Sequence, residues 1–223
     1  MKKLSIIFLF ISYSLCSQND ENKSAYVLFD DIIGQKNLEI NVGVKYIEKY
    51  RTLKDEHQFL NQQFSLGTVN YKKEVYYNVP IIYDLYTDQL IVRINSQYES
   101  YSLVLNKKST SSFTIANNKF INYKDLGFYQ GLHVANNQSL FKKNKKTLKS
   151  KIVGKSRYSK FTYTSSFFLA KNDKLHAVNK KKDWIKLYPE LESKINTFYK
   201  SKASLLKSSS ETFMISLFKT LNL

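Results

Sequence analysis

"GTVNYKKEVYYNVPIIYDLYTDQLIV", residues 67–92, decides the fold. Apolar and polar residues alternate along it with a period of two, the period of a half-buried β-strand. "KKE" at 72–74 and "TD" at 87–88 interrupt the alternation and read as tight turns, so three strands follow one another antiparallel. Pro80 has no N–H to give a ladder, which puts its strand at a sheet edge or makes it bulge there.

The same period continues outward. "SQYES" (96–100) turns into "YSLVLN" (101–106). "SFTIAN" and "KFINY" are split by "NN" at 117–118, and "GFYQGLHVA" and "QSLFKKN" by "NN" at 136–137. "KFTYTSSFFLAKNDKLHAVNK" (160–180) turns at "KND" (171–173). Upstream, "VGVKYIEKY" alternates at Val42, Val44 and Tyr46 as a strand, whereas "RTLKDEHQFLNQQF" (51–64) reads as a loop with a helical turn. The expectation is a mainly β (β+α) fold: an antiparallel meander of about ten strands curling into a barrel-like or folded sheet.

After residue 180 the period changes. Trp184, Tyr188, Leu191, Ile195 and Phe198 recur at helical spacing, with Pro189 suited to a first turn, and predict a helix over about 183–202. Ser208 with Glu211 has the spacing of a capping box ahead of Phe213, Met214, Leu217, Phe218 and Leu221, and predicts a second helix over about 208–222. Both apolar faces need cover, which one side of the sheet can supply. Residues 26–223 are expected to form a single β-rich domain.

The first residues read as an export signal. Lys2 and Lys3 precede the apolar run 4–15, and "SLCSQ" (14–18) then turns small and polar, so residues 1–17 are expected to be a cleaved signal peptide and 18–25 a flexible leader. Lipidation at Cys16 is the competing reading; Leu15 stands where such a signal normally carries a small residue. No other segment is apolar for 18 residues, so no transmembrane segment is expected in the mature chain. Cys16 is the only cysteine, which leaves the processed chain without disulfide, thiol nucleophile or cysteine metal site. The expected location is the periplasm or the outer membrane.

Charge is uneven. Residues 18–119 hold 12 basic and 12 acidic side chains, whereas 120–223 hold 21 basic and 6 acidic, a net of +15. The densest run is 141–160, with nine cations and no acid: Lys142, Lys143, Lys145, Lys146, Lys149, Lys151, Lys155, Arg157 and Lys160. These are candidates for binding anionic lipid or polysaccharide. An exported protein rarely meets nucleic acid, and the run holds one arginine fork, so nucleic acid is not expected as a partner. The same lysine excess, with abundant Asn, Ile, Tyr and Phe, also follows from A/T-rich codon usage.

Catalytic patterns are sparse. His57, His133 and His176 lie at no metal-ligand spacing, no glycine-rich phosphate loop appears among six scattered glycines, and no metal or cofactor is expected. The best enzymatic candidate is a carboxylate pair: Asp84 and Asp88, which a hairpin could bring to glycosidase spacing, or the adjacent Asp30 and Asp31. Aspartates at strand ends more often cap turns. Tyr83 and Tyr86 complete an aromatic and acidic rim with Asp84 and Asp88; with Tyr71, Tyr76 and Tyr77 they are either half-buried strand residues or a contact surface.

"GxxY" (43–46), the 67–92 stretch, "GFYQGL" (127–132), the basic "LFKK" strand and the late "LYPEL…INTF" helix together resemble a group of small exported proteins of Bacteroidota. The resemblance covers most of 40–200. It implies a signal peptide, a strand meander, a C-terminal helix, no assigned activity and a context among accessory proteins of the outer membrane or its transporters. The functional expectation is therefore a non-catalytic binding or scaffolding protein that contacts an envelope protein partner. The alternatives are a carbohydrate hydrolase using Asp84 and Asp88, or a binder of anionic glycan or lipid through 142–160.

Overall fold

The computed structural model of the chain describes residues 23–24, 27–28, 38–95 and 99–223. The expected signal peptide (1–17) with Cys16, most of the expected leader, Asp30 and Asp31, and residues 96–98 lie outside them.

Among the described residues eleven strands form one antiparallel sheet: β1 (Val44–Lys45), β2 (Ser65–Tyr71), β3 (Glu74–Asp84), β4 (Gln89–Asn95), β5 (Ser100–Val104), β6 (Thr110–Ile115), β7 (Asn118–Asn122), β8 (Phe128–Ala135), β9 (Gln138–Val153), β10 (Ser156–Lys171) and β11 (Lys174–Ala177). Four hairpin turns take two residues with positive φ, as the right-handed twist of the flanking strands favours: Lys72–Lys73, Ala116–Asn117, Asn136–Asn137 and Asn172–Asp173. The β6–β7 turn thus falls one residue before the "NN" that announced it, because Asn118 already pairs with Ile115.

The order across the sheet is β1-β5-β4-β3-β2-β6-β7-β8-β9-β10-β11, so the meander is broken twice, between β1 and β2 and between β5 and β6. β5 does not neighbour β6. The edge of β5 is taken by β1, with Val44 opposite Val104, and the chain returns to place β6 beside β2, with Val69 opposite Phe113. Pro80 lies in an interior strand, and the bulged alternative holds: the β2–β3 register shifts between Gly67 and Val69, and Asn78 takes φ +54.

The sheet curls without closing into a barrel. β3 and β8 stand four positions apart, about 19 Å across a flat sheet. Yet the Tyr83 and Phe128 rings lie 5.8 Å apart, and Tyr83 also meets Phe113 at 5.1 Å and Phe120 at 5.3 Å. β3 to β8 therefore fold over one core, in which Val69, Ile81, Leu90, Val92, Ile115 and Phe120 are buried. A backbone bond from Lys146 N–H to Leu85 O, 3.2 Å, ties the end of β3 to β9, although no ladder joins them.

The helices α1 (Lys181–Leu187), α2 (Glu192–Ser201), α3 (Ala203–Ser208) and α4 (Ser210–Leu221) cover the other end of the sheet. Phe213, Met214, Leu217 and Phe218 of α4 pack with Trp184, Ile195, Leu140, Phe167 and Leu169 in a second core. The helix expected over 183–202 is divided: α1 ends at Tyr188, and Pro189 opens a single 3-10 turn before α2, since the proline ring cannot follow a continuous helix. The cap of the last helix is Ser209, whose hydroxyl accepts Thr212 N–H at 3.2 Å, rather than Ser208 with Glu211. Glu211 is instead bonded to Lys142.

Candidate binding surface

The Tyr83, Asp84, Tyr86 and Asp88 rim lies at the β3–β4 turn, and the fold uses all four. Asp84 is buried, and its Oδ1 accepts Tyr86 N–H at 2.8 Å and Thr87 N–H at 3.0 Å, closing the turn. Asp88 accepts the Tyr83 hydroxyl, Lys107 Nζ at 3.0 Å and Lys143 Nζ at 3.1 Å. Burial, and then the charge of Asp88, push the Tyr83 phenol well above its ordinary range. Burial pulls the Lys143 ammonium down, against the opposing pull of Asp88. Tyr86 stands edge-on to Phe161 at 5.3 Å and to Tyr50 at 5.8 Å. Tyr71 and Tyr76 are core residues.

Asp84 borders an open recess of about 390 Å³ lined also by Val44, Ile47, Tyr50 and Gln89, and it is the one acid among the described lining residues. Asp88 points instead to β8 and β9. The two carboxylates thus do not face one cleft, which is what glycoside hydrolysis by an acid pair requires. A neighbouring polar depression contains Glu48, whose oxygens accept Tyr46 Oη at 2.9 Å and Gln58 Nε2 at 3.0 Å. Among the described residues no group of three or more His, Cys, Asp or Glu side chains could hold a metal.

The basic run 141–160 is not a loop between strands. It is the body of the β9–β10 hairpin, two strands of 16 residues each. β8 pairs with β9 only as far as Lys142, and β11 with β10 only from Phe168 onward. The rest is an arm. One edge of β10 is strapped by the preceding loop: Ser159 N–H donates to Arg51 O at 2.8 Å and Phe161 N–H to Glu56 O at 3.0 Å. Covering a bare strand edge in this way blocks pairing with another chain. The arm turns on Gly154 and Lys155, with Gly154 at φ +61, a left-handed conformation that favours glycine.

The nine cations divide into two sets. Lys142 pairs with Glu211 at 2.8 Å, Lys143 with Asp88, and Lys151 and Lys160 with Glu56 at 2.8 and 3.4 Å. Lys146, buried, donates to the carbonyls of His57 and Phe59 at 2.7 Å each. The lysine bonds to Glu56 hold its carboxyl below the usual range. The other four, Lys145, Lys149, Lys155 and Arg157, are exposed, and no ion pair holds their side chains among the described residues. Lys149 stands directly opposite Lys160 in the ladder, and Arg157 opposite Ile152.

Residue spacing alone could not separate the structural lysines from the free ones. The signal was present only in part: Lys142 and Lys146 share the parity of the buried Leu140, and Lys145 and Lys149 do not. Among the described residues no helix is long and apolar enough to cross a membrane. Comparison with protein-family models, with curated proteins and with solved structures finds no match.

Proposed function

We propose that the protein is an exported, non-catalytic binding protein of the cell envelope, and that its contact with anionic partners runs through the β9–β10 arm. One observation carries this reading: on an arm that leaves the sheet, four cations are exposed and without an ion pair among the described residues, while Glu56, an acid bonded to the arm, is already shared by Lys151 and Lys160. A cluster of unneutralised like charge is costly to the folded chain alone and is relieved by a polyanion. This geometry favours the anionic ligand over an envelope protein partner, since of the two rim tyrosines Tyr83 is buried and bonded to Asp88, which leaves Tyr86 alone at the surface.

Retention on immobilised dextran sulfate tests the reading. The fourfold variant Lys145→Gln, Lys149→Gln, Lys155→Gln, Arg157→Gln is expected to show a slope of log affinity against log salt shallower by roughly three to four. A matched variant neutralising Lys119, Lys174, Lys182 and Lys200, all exposed, removes the same charge elsewhere and is expected to behave like the parent. Equal loss in both variants would show that net charge, rather than the arm, holds the ligand, and would overturn the proposal.

A further inference from the structure

The tip of the arm carries a second kind of residue. Ile152 is 71 % exposed and Val153 44 %, side by side at the end of β9. Adjacent strand residues point to opposite faces, so a partner lying flat against the arm could cover only one of them. A medium that receives the hairpin end-on covers both. The turn is narrow enough for this: it has two residues, and a Cβ built on Gly154 meets no atom within 4 Å.

Cations surround this apolar point. Arg157 sits opposite Ile152, Lys155 occupies the turn, and Lys149 lies four residues, about 13 Å, behind Val153 on the same face. Two aliphatic side chains set among long cationic ones, with Lys155 in the turn beyond them, Arg157 level with Ile152 and Lys149 behind, suit a bilayer surface, where acyl chains lie beneath phosphates. Lysine and arginine stems bury along the apolar layer while their heads stay among the headgroups.

We propose that the arm docks end-on into an anionic lipid surface, with Ile152 and Val153 entering below the headgroups and Lys149, Lys155 and Arg157 holding lipid phosphates. This rests on the reading of the arm as the polyanion contact and adds the lipid bilayer as the partner. The insertion is shallow, because Glu56 fixes Lys151 and Lys160 to the 51–57 strap just behind the tip.

Vesicle sedimentation with the chain from residue 18 onward provides the test, since the apolar run 4–15 would itself enter a bilayer. The parent is expected to bind vesicles containing phosphatidylglycerol and to leave vesicles of phosphatidylcholine alone in the supernatant. Ile152→Ser with Val153→Ser, both at exposed positions, is expected to weaken binding at least about tenfold. Each of Lys149→Gln, Lys155→Gln and Arg157→Gln is expected to weaken it about fivefold. Val153→Trp supplies an optical reporter, because the native Trp184 is fully buried and insensitive to the surface. Its emission is expected to shift to the blue on addition of anionic vesicles. Anionic-vesicle binding without that shift, or unchanged by the double serine variant, would overturn insertion and leave the polyanion reading standing. Retention on dextran sulfate without vesicle binding would have the same meaning and would point to polysaccharide. Failure to bind either probe would overturn both.

Discussion

Asp88, one of the two carboxylates weighed as an acid pair, is a bonding node of the β3–β4 turn. Its carboxylate gathers Tyr83, Lys107 and Lys143 from three strands and connections, and it also accepts Phe128 N–H at 3.4 Å. Gly127 makes that node possible: it takes φ +104, and a Cβ there would lie 2.1 Å from Asp88 Oδ2 and 2.9 Å from Lys143 Nζ. Gly127→Ala is therefore expected to lower stability by about 1–3 kcal/mol from backbone strain, with loosening of the Asp88 pairs added. Urea unfolding measures this, and an unchanged midpoint would show that the node does not hold the hairpin. His57 is the residue that answers to pH. Burial, and then the nearby Lys146 ammonium, lower its pKa from the usual 6.5. Its Nδ1 accepts Phe59 N–H at 3.2 Å, a bond that a proton on that nitrogen abolishes. With the folded value depressed, the unfolded chain takes up the proton first, so this contribution to stability is full above 6.5 and is lost as pH falls below it. The difference in melting temperature between pH 7.5 and 5.5 is expected to shrink in His57→Asn, whose side-chain oxygen can still accept the Phe59 bond. An identical difference in both proteins would remove His57 from the account.

Elements were legible where one face is buried. Residues 67–92 show their period because Val69, Tyr71, Ile81, Tyr83, Leu90 and Val92 all face the curled core. The distal parts of β9 and β10 do not, because the arm has little beneath it: Lys149, Ile152 and Val153 stand in solvent, and a strand wet on both faces has no apolar alternation to display. The break in the first helical stretch was visible as Pro189, but its apolar spacing runs straight through, since α1 and α2 cover the same core. At the binding surface, the run of nine cations could be located but not sorted, because the acids that neutralise it come from 56, 88 and 211, far along the chain. The strap over β10 shows what such a distant acid does. In Glu56→Gln the backbone bonds to Ser159 and Phe161 persist in principle, but the two lysine pairs that hold the loop are lost. Amide exchange at Ser159 and Phe161 is expected to quicken selectively; unchanged rates would show that the backbone pairing alone fixes the strap.

At the scale of the whole molecule, one sheet serves two cores, one under its own curl and one under the helices, and β8 and β9 run between them. Class and direction of the strands were readable, because short turns join most of them. Their order was not. The link from Val104 to Thr110 must cross four strand positions, about 19 Å on a flat sheet, with five residues that include a 3-10 turn. It can do so only because the sheet has already bent over its own end, a tertiary fact that no local pattern encodes. The return of β6 to β2 also bears on how the chain comes into being. A polypeptide made from its first residue onward completes β2 to β5 early, yet one flank of β2 stays bare until Thr110–Ile115 emerges. During that interval Val69 lacks its partner Phe113 and an open ladder faces the surroundings, so a chaperone that shields nascent strands has its natural grip on residues 65–71 and its natural moment of release when β6 arrives.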